Sequence, residues 1–353
     1  MQGETLKAFV DDVNNIRDYI KYIHLINKVE IAIPAIDDDL LIDVREHLQK
    51  FGVSKKIFEY KSITISLYGI LEKYIGVWIK EYVSHLPKII NNYNDLTIKF
   101  RDNHFDLSVK LLALISEKKH AKYEGLKREK VLEKLNSCIE NPSGFQLNSD
   151  AFYLRSGNLK HAKIAEALHH LDIQLTAKLK IVGQRSGGFL SNGYHNIENR
   201  GDDVFRLIDE LVTLRNDIAH GEDVDNILSV TEFNEYIDFL EGYGVAVFQT
   251  LTEKLNELEA NCLYDKIDED NVKGVFGKGT ILCFEVEDTV ISKGDYIIVN
   301  LIDGGFIKKE ILEIQKDSQS FDTLSIKDPE SIGVRVDKGI SKKQGFFIKK
   351  SGN

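Results

Sequence analysis

The sequence predicts a mainly α-helical bundle followed by a separate small β-barrel at the C-terminal end. Upstream of about residue 265, apolar residues recur at spacings of three and four over long windows, and only four prolines interrupt the 353 residues. Downstream, short β-branched runs alternate with glycine and aspartate, the pattern of strands and tight turns. Hydrophobic residues make up 42% and charged residues 29%, the balance of a well-packed chain rather than a disordered one.

Taken in order, residues 1–60 read as a helical lead-in, with Phe9, Val13, Ile16, Tyr19 and Ile20 on one face and a break at Ile33-Pro34. Residues 61–264 read as the main helical domain. Its first helix, 62–86, carries a stripe of Ile63, Leu67, Ile70, Leu71, Tyr74, Trp78, Tyr82 and Leu86, with Pro87 just past its end. These aromatics share the aliphatic face, which favours core packing over a platform for stacking bases. Further helices are expected within 104–140 and 157–182. Glycine-rich Gly183–Phe189 reads as a connection and lacks the spacing of a phosphate loop. A helix then starts near Asp202 or Asp203 and carries Val204, Leu207, Ile208, Leu211, Leu214 and Ile218 to a stop at Gly221. The last helix, 231–259, contains Gly242 and Gly244, expected to bend or split it. Polar residues 265–271 read as a linker to the strand-rich domain, 272–353. Its candidate strands are Ile281–Val286, Tyr296–Asn300, Phe306–Ile314, Leu324–Ile326, Gly333–Val336 and Gly345–Ile348.

A net charge of −10 argues against a protein that coats nucleic acid through its overall field. From Asp265 onward the net charge is −2, and upstream it is −8, so neither part is a general polyanion binder. A local cleft remains open to RNA. Basic residues gather at Lys118, Lys119, Lys122, Lys127, Arg128 and Lys130, and again at Lys160, Lys163, Lys178, Lys180 and Arg185. The second group is the candidate for RNA-backbone contact, with an ordinary solvated face as the alternative. Cys138, Cys262 and Cys283 form no CxxC pair, so free thiols are expected rather than a disulfide scaffold or thiolate zinc site. No secretion signal or long apolar span stands out, and a cytoplasmic protein with no membrane contact is the expectation.

The segment that carries chemistry is Leu214-Arg215-Asn216-Asp217-Ile218-Ala219-His220-Gly221. Cutting RNA through its own 2′-hydroxyl requires proton removal, stabilisation of a crowded phosphorane and a proton for the leaving oxygen. Histidine titrates near neutral pH and suits the proton transfers. Arginine offers a planar fork matched to phosphate oxygens. A helix C-terminus also favours a protonated histidine. By itself the pair is a weak signal, because an arginine followed by a histidine five residues later is commonly surface charge and a helix cap.

Context sharpens it. Residues from about 60 to 260 resemble the HEPN superfamily of helical RNases, in particular HEPN-like nucleases of bacterial defence and toxin systems. Arg215, Asn216 and His220 match its arginine, polar residue and histidine. The early helix SLYGILEKYIGVWIKEYV resembles its first core helix, with Glu72 at the polar position, and Ser156–Lys160 resembles an asparagine-containing connection. The resemblance implies a helical bundle that dimerises or forms a higher even oligomer. It also implies an endoribonuclease needing no metal or other cofactor, with tRNA, rRNA or mRNA as substrate and a regulatory or antitoxin partner. His220 would handle protons, Arg215 would stabilise the phosphate and Asn216 would orient it. Asp217 and Glu72 are auxiliary candidates, each with a salt-bridged or solvent-facing alternative. The competing function is a noncatalytic RNA- or protein-binding module on the same bundle.

The C-terminal domain resembles the barrel that follows the GTPase domain in translation elongation factors. The likeness rests on Gly277–Thr280, Ile291–Asp295 and Ile332–Ile340. No GTPase motif precedes it. Guidance of a translation-related substrate, oligomer packing and regulation remain alternative roles.

Overall fold

The computed structural model describes residues 1, 3–32, 42–117, 123–153, 158–185, 204–222 and 227–350. Ile33-Pro34, Lys118, Lys119, Lys122, Ser156-Gly157, Ser186–Phe189, Asp202 and Asp203 lie outside them, as does the side chain of Arg185.

Eight α-helices are described: α1 Gly3–Ala32, α2 Ile42–Ile89, α3 Ile98–Glu117, α4 Arg128–Glu140, α5 His161–His169, α6 Leu175–Arg185, α7 Arg206–His220 and α8 Val230–Leu263. Eleven short strands follow, so the fold is mainly helical with a C-terminal antiparallel β region. The chain divides into two compact units. One comprises Met1–Glu81, Asp102–Leu126 and Asn148–Thr250; the other comprises Tyr82–Arg101, Lys127–Leu147 and Leu251–Asn353.

In the first unit, α1 and α8 bury apolar faces against α2. Phe9 is fully buried, its ring 5.4 Å from Tyr74 and 5.2 Å from Trp78, both edge-on. The α2 aromatics are therefore core residues, as their shared face with leucine and isoleucine implies. Tyr19, expected on the inner face of α1, is instead exposed and stacks on Tyr22. At the polar edge, Lys73 and Tyr74 both donate to Asp12, while Arg17 pairs with Asp238 and Glu241.

Two helix punctuation signals act differently from the expectation. Pro87 lies inside α2, within its last turn, and the helix continues to Ile89. Helix α8 runs unbroken through Gly242 and Gly244. Gly244 is there for space, since a Cβ would stand 2.3 Å from the Phe9 ring. Its start is a capping box: Glu232 accepts from the Ser229 backbone while the Ser229 hydroxyl accepts from the Glu232 backbone.

In the second unit, β1 Tyr264–Lys266, β11 Gly345–Lys349, β5 Tyr296–Asn300 and β6 Phe306–Glu310 form one antiparallel sheet, in that order. A second sheet has the order β2 Val272–Phe276, β3 Ile281–Val286, β10 Glu330–Arg335, β7 Glu313–Lys316 and β8 Gln319–Phe321; β4 Thr289–Ser292 pairs with β9 Thr323–Ile326 in a third. The expected closed barrel is thus corrected to three sheets without a continuous ladder. They still surround one core, to which Leu282, Phe284, Ile291, Val299, Ile326 and Phe346 contribute from all three. The expected single strand 306–314 divides at Ile311-Leu312. There the backbone leaves β6 and bonds to Asp295 and Arg335 before entering β7. The stretch read as a linker instead supplies β1, paired to β11 from Tyr264 to Lys266. The end of α8 is part of this unit too: Ala260 packs with Ile298 and Phe347, and Asn256 donates to the Phe306 carbonyl.

Candidate active site

Helix α7 positions the Arg215–His220 segment. Leu207, Ile208, Leu211 and Val212 are buried and fix one side of the helix. Its end is held by a Schellman arrangement. Gly221 adopts φ 77° and ψ 23°, its backbone N–H donates to Ile218, and the Glu222 N–H donates to Asp217. The helix therefore stays regular through His220. This fixes where the two motif side chains leave the backbone. Five residues of regular helix turn by about 140°, whereas four turn by about 40°. His220 thus shares a face with Asn216, and Arg215 departs from a different one.

The Arg215 side chain spans that difference. Its Nη1 donates to Asn216 Oδ1 at 3.0 Å, and its guanidinium lies 4.8 Å from the centre of the Tyr68 ring on α2. Asn216 Nδ2 in turn donates to Asn158 Oδ1. The bond directions are set by chemistry: arginine only donates, so Asn216 must present oxygen to it and nitrogen to Asn158. Tyr68 is buried, Arg215 and Asn216 are half-buried, and His220 is exposed on the last helical turn.

The auxiliary candidates lie nearby along the chain without joining this network by hydrogen bonds among the described residues. Asp217 is half-buried, and its charge helps raise the Tyr60 phenol above its ordinary value, an effect led by burial of that phenol. Glu72 lies one turn beyond Tyr68 on α2, and its backbone carbonyl accepts from the Tyr153 hydroxyl at 2.9 Å. Of the basic candidates, Lys160 is exposed at the start of α5, two residues beyond Asn158. Lys163 is paired with Glu166 on its own helix. Lys178 and Lys180 lie on α6, half-buried and exposed respectively. The structure therefore brings together Arg215, Asn216, Asn158 and Tyr68.

The RiboL-PSP-HEPN family model matches residues 17–253, more than half of the chain. The chain belongs to the RiboL-PSP-HEPN family. Membership in the HEPN superfamily supports a nuclease or RNA-binding module, with RNA as the general ligand class and dimerisation as a general property. A search of curated proteins finds no match. The matched span of this HEPN chain contains the whole network around Arg215. Among the described residues there is no cluster of three or more His, Cys, Asp or Glu side chains arranged for a metal ion, and no helix long and apolar enough to cross a membrane.

Sequence reasoning missed Tyr68 as a neighbour of the motif. It also missed a polar knot behind α7. There the His161 ring stacks on Phe205 with centroids 3.6 Å apart, and its two nitrogens bond to the Tyr243 and Thr176 hydroxyls. Asp209 accepts from the His161 backbone N–H at 2.8 Å. No local motif encodes these contacts, because they join residues 15 to 82 positions apart.

Proposed function

We propose that this HEPN chain is an endoribonuclease that cuts RNA through attack by the 2′-hydroxyl, without a divalent ion, and acts as a bacterial defence or toxin effector. The observation that carries the reading is the Arg215–Asn216–Asn158 network on a capped helix that presents His220 to solvent. In it Arg215 stabilises the phosphorane oxygens, and His220 exchanges protons with the 2′-hydroxyl or the departing 5′-oxygen. Histidine is suited to this because its ordinary pKa, about 6.5, leaves both forms populated near neutral pH. The products are a 2′,3′-cyclic phosphate and a 5′-hydroxyl. A second copy would supply the other acid–base group, and an antitoxin or regulator would hold the activity in check. The C-terminal β unit, by its resemblance to an elongation-factor barrel, would direct the enzyme to a translation-related RNA.

A second reading, RNA binding without cleavage, is favoured by the different faces from which Arg215 and His220 leave α7. One experiment separates the two. Wild-type, Arg215→Ala and His220→Ala proteins are incubated with total RNA in excess EDTA, and the new ends are mapped. The nuclease reading expects cyclic-phosphate ends with wild type alone. Equal cutting by His220→Ala would overturn the role given to that residue, and RNA retention without new ends would establish the binding module.

A further inference from the structure

A surface cleft of about 620 Å³ opens along the exposed side of α7, with Lys160, Arg206, Glu210, Thr213, Leu228 and Tyr236 around it. Its volume lies within the roughly 300–1,000 Å³ typical of small-ligand sites. On α7 the lining residues Arg206, Asp209, Glu210 and Thr213 recur at helical spacing. The same line continues through Asn216 to His220. Thr213 and His220 are seven residues apart, which on a regular helix is about 10 Å of rise and only about 20° of rotation. The cleft and the motif histidine therefore share one face, separated by a distance that a short stretch of extended RNA covers.

The acidic groups of the cleft are held in place by neighbouring donors, two of which, Arg206 and Tyr236, line it themselves. Glu210 takes Arg206 on one carboxylate oxygen at 2.8 Å and the Tyr236 hydroxyl on the other at 2.9 Å. Asp209 is fixed through its oxygen Oδ1 by the His161 backbone. Each carboxylate has about four acceptor positions, so both keep capacity for a ligand. A pair of oriented acceptors repels a phosphate but welcomes a neutral edge rich in N–H donors. Leu214, Leu228 and the Tyr236 ring offer apolar surface to a flat ring, and Lys160 adds a cation.

We propose that this cleft is a base-specificity subsite that takes a guanine near the cut phosphate. The assignment rests on the nuclease reading for its place in the reaction. Guanine is the RNA base whose Watson–Crick edge carries two adjacent donors, N1–H and N2–H, which meet the two oxygens of one carboxylate. Adenine and cytosine present one amino group there, and uracil one imino group. In this arrangement Glu210 reads the edge, Tyr236 holds Glu210 in place, and Lys160 contacts the flanking backbone.

The test measures binding apart from cutting. His220→Ala protein is titrated with labelled penta-uridine RNAs carrying a single central G, A or C. The G-bearing RNA should bind about tenfold or more tightly than the others, the scale of one good base-edge pair. Adding Glu210→Gln should remove that preference. Tyr236→Phe, which keeps the ring but frees one Glu210 oxygen, should reduce it, and this variant decides the matter if Glu210→Gln folds poorly. Lys160→Ala should weaken all the RNAs a few-fold and leave the preference intact. Base-blind binding, no binding at all, or a G preference that survives in folded Glu210→Gln or unreduced in Tyr236→Phe would overturn the subsite. A wild-type protein that cuts no RNA would sink the nuclease reading alone, since a G preference lost with Glu210 would still stand.

Discussion

Replacing Gly221 with alanine tests whether the presentation of His220 depends on the helix stop. Gly221 holds φ 77°, in the left-handed region, and an added Cβ would meet no atom within 4 Å. The penalty is therefore conformational and not a clash. An L-residue in this region costs roughly 1–2 kcal/mol, partly offset by about 0.4–1 kcal/mol because alanine restricts the unfolded chain. A net cost of about 1 kcal/mol favours opening of the last turn by roughly fivefold, given RT of about 0.6 kcal/mol. The amides that report it are those of Gly221 and Glu222, which bond to Ile218 and Asp217. Hydrogen exchange at these two amides should speed up about fivefold in the variant, with exchange in the buried half of α7 unchanged. Gly221→Asn, which tolerates the left-handed region better, should show a smaller effect. Unchanged exchange in Gly221→Ala would refute the claim that this cap holds His220 in place. Faster exchange with undiminished cleavage would show that catalysis does not need the ordered turn.

Three further outcomes follow from other parts of the molecule. Arg215→Lys keeps the charge but loses the planar fork, so single-turnover cleavage should fall about tenfold or more while RNA affinity measured at equilibrium changes little. Gly244→Ala should destabilise the protein by about 1–3 kcal/mol in urea unfolding despite the better helix propensity of alanine, because Phe9 is fully buried against Tyr74 and Trp78 and cannot yield. Asp12 is held below its ordinary value of 3.8 by the hydrogen bond from Lys73, with Tyr74 adding to it. A carboxylate with a depressed folded-state pKa stabilises above its unfolded value and loses that contribution as pH falls through the folded one. Acid unfolding followed below pH 4 should therefore be shallower in Asp12→Asn, and an identical profile would remove this contact from the acid response.

Periodic burial made the helices legible. A stripe such as Leu67, Leu71, Tyr74 and Trp78 has one stable placement, facing other apolar surface, and all four are buried. Strands built on an unbroken apolar run, such as Ile281–Val286 and Tyr296–Asn300, are readable for the same reason, whereas β2, whose apolar residues are split by Lys273 and Gly274, is not. Strands β1 and β8 are three residues each and largely polar; β1 gains its identity from β11, far along the chain, and β8 from a tight hairpin onto the neighbouring β7. The same limit applies to the site. Arg215 and Asn216 are neighbours on one helix and could be named from the sequence. Asn158 could be read as part of a connection resembling the family's, but its pairing with Asn216, 58 positions away, could not, and Tyr68 is on another helix with nothing local to announce it. Gly244 shows the converse error: its residue type was read as a bend, whereas its cause is the close approach of Phe9.

The helical phase of the motif gives Asn216 a role that can be separated from direct contact with phosphate. On a regular α7, His220 has Asn216 beside it on the same face, while Arg215 reaches that face only through its side chain. Asn216 Oδ1 takes the guanidinium there, and Asn158 holds the far end of the amide. If Asn216 works by holding Arg215, removing it leaves the arginine resting on Tyr68 and pointed by nothing toward the histidine. Asn216→Ala should then cost nearly as much cleavage as Arg215→Ala, and the double variant should cost little more than either. Independent actions on RNA would instead give penalties that add in free energy. Single-turnover rates for the four proteins of this cycle, taken at saturating enzyme so that affinity drops out, decide between them. Additive losses would refute the holding role and return Asn216 to the phosphate.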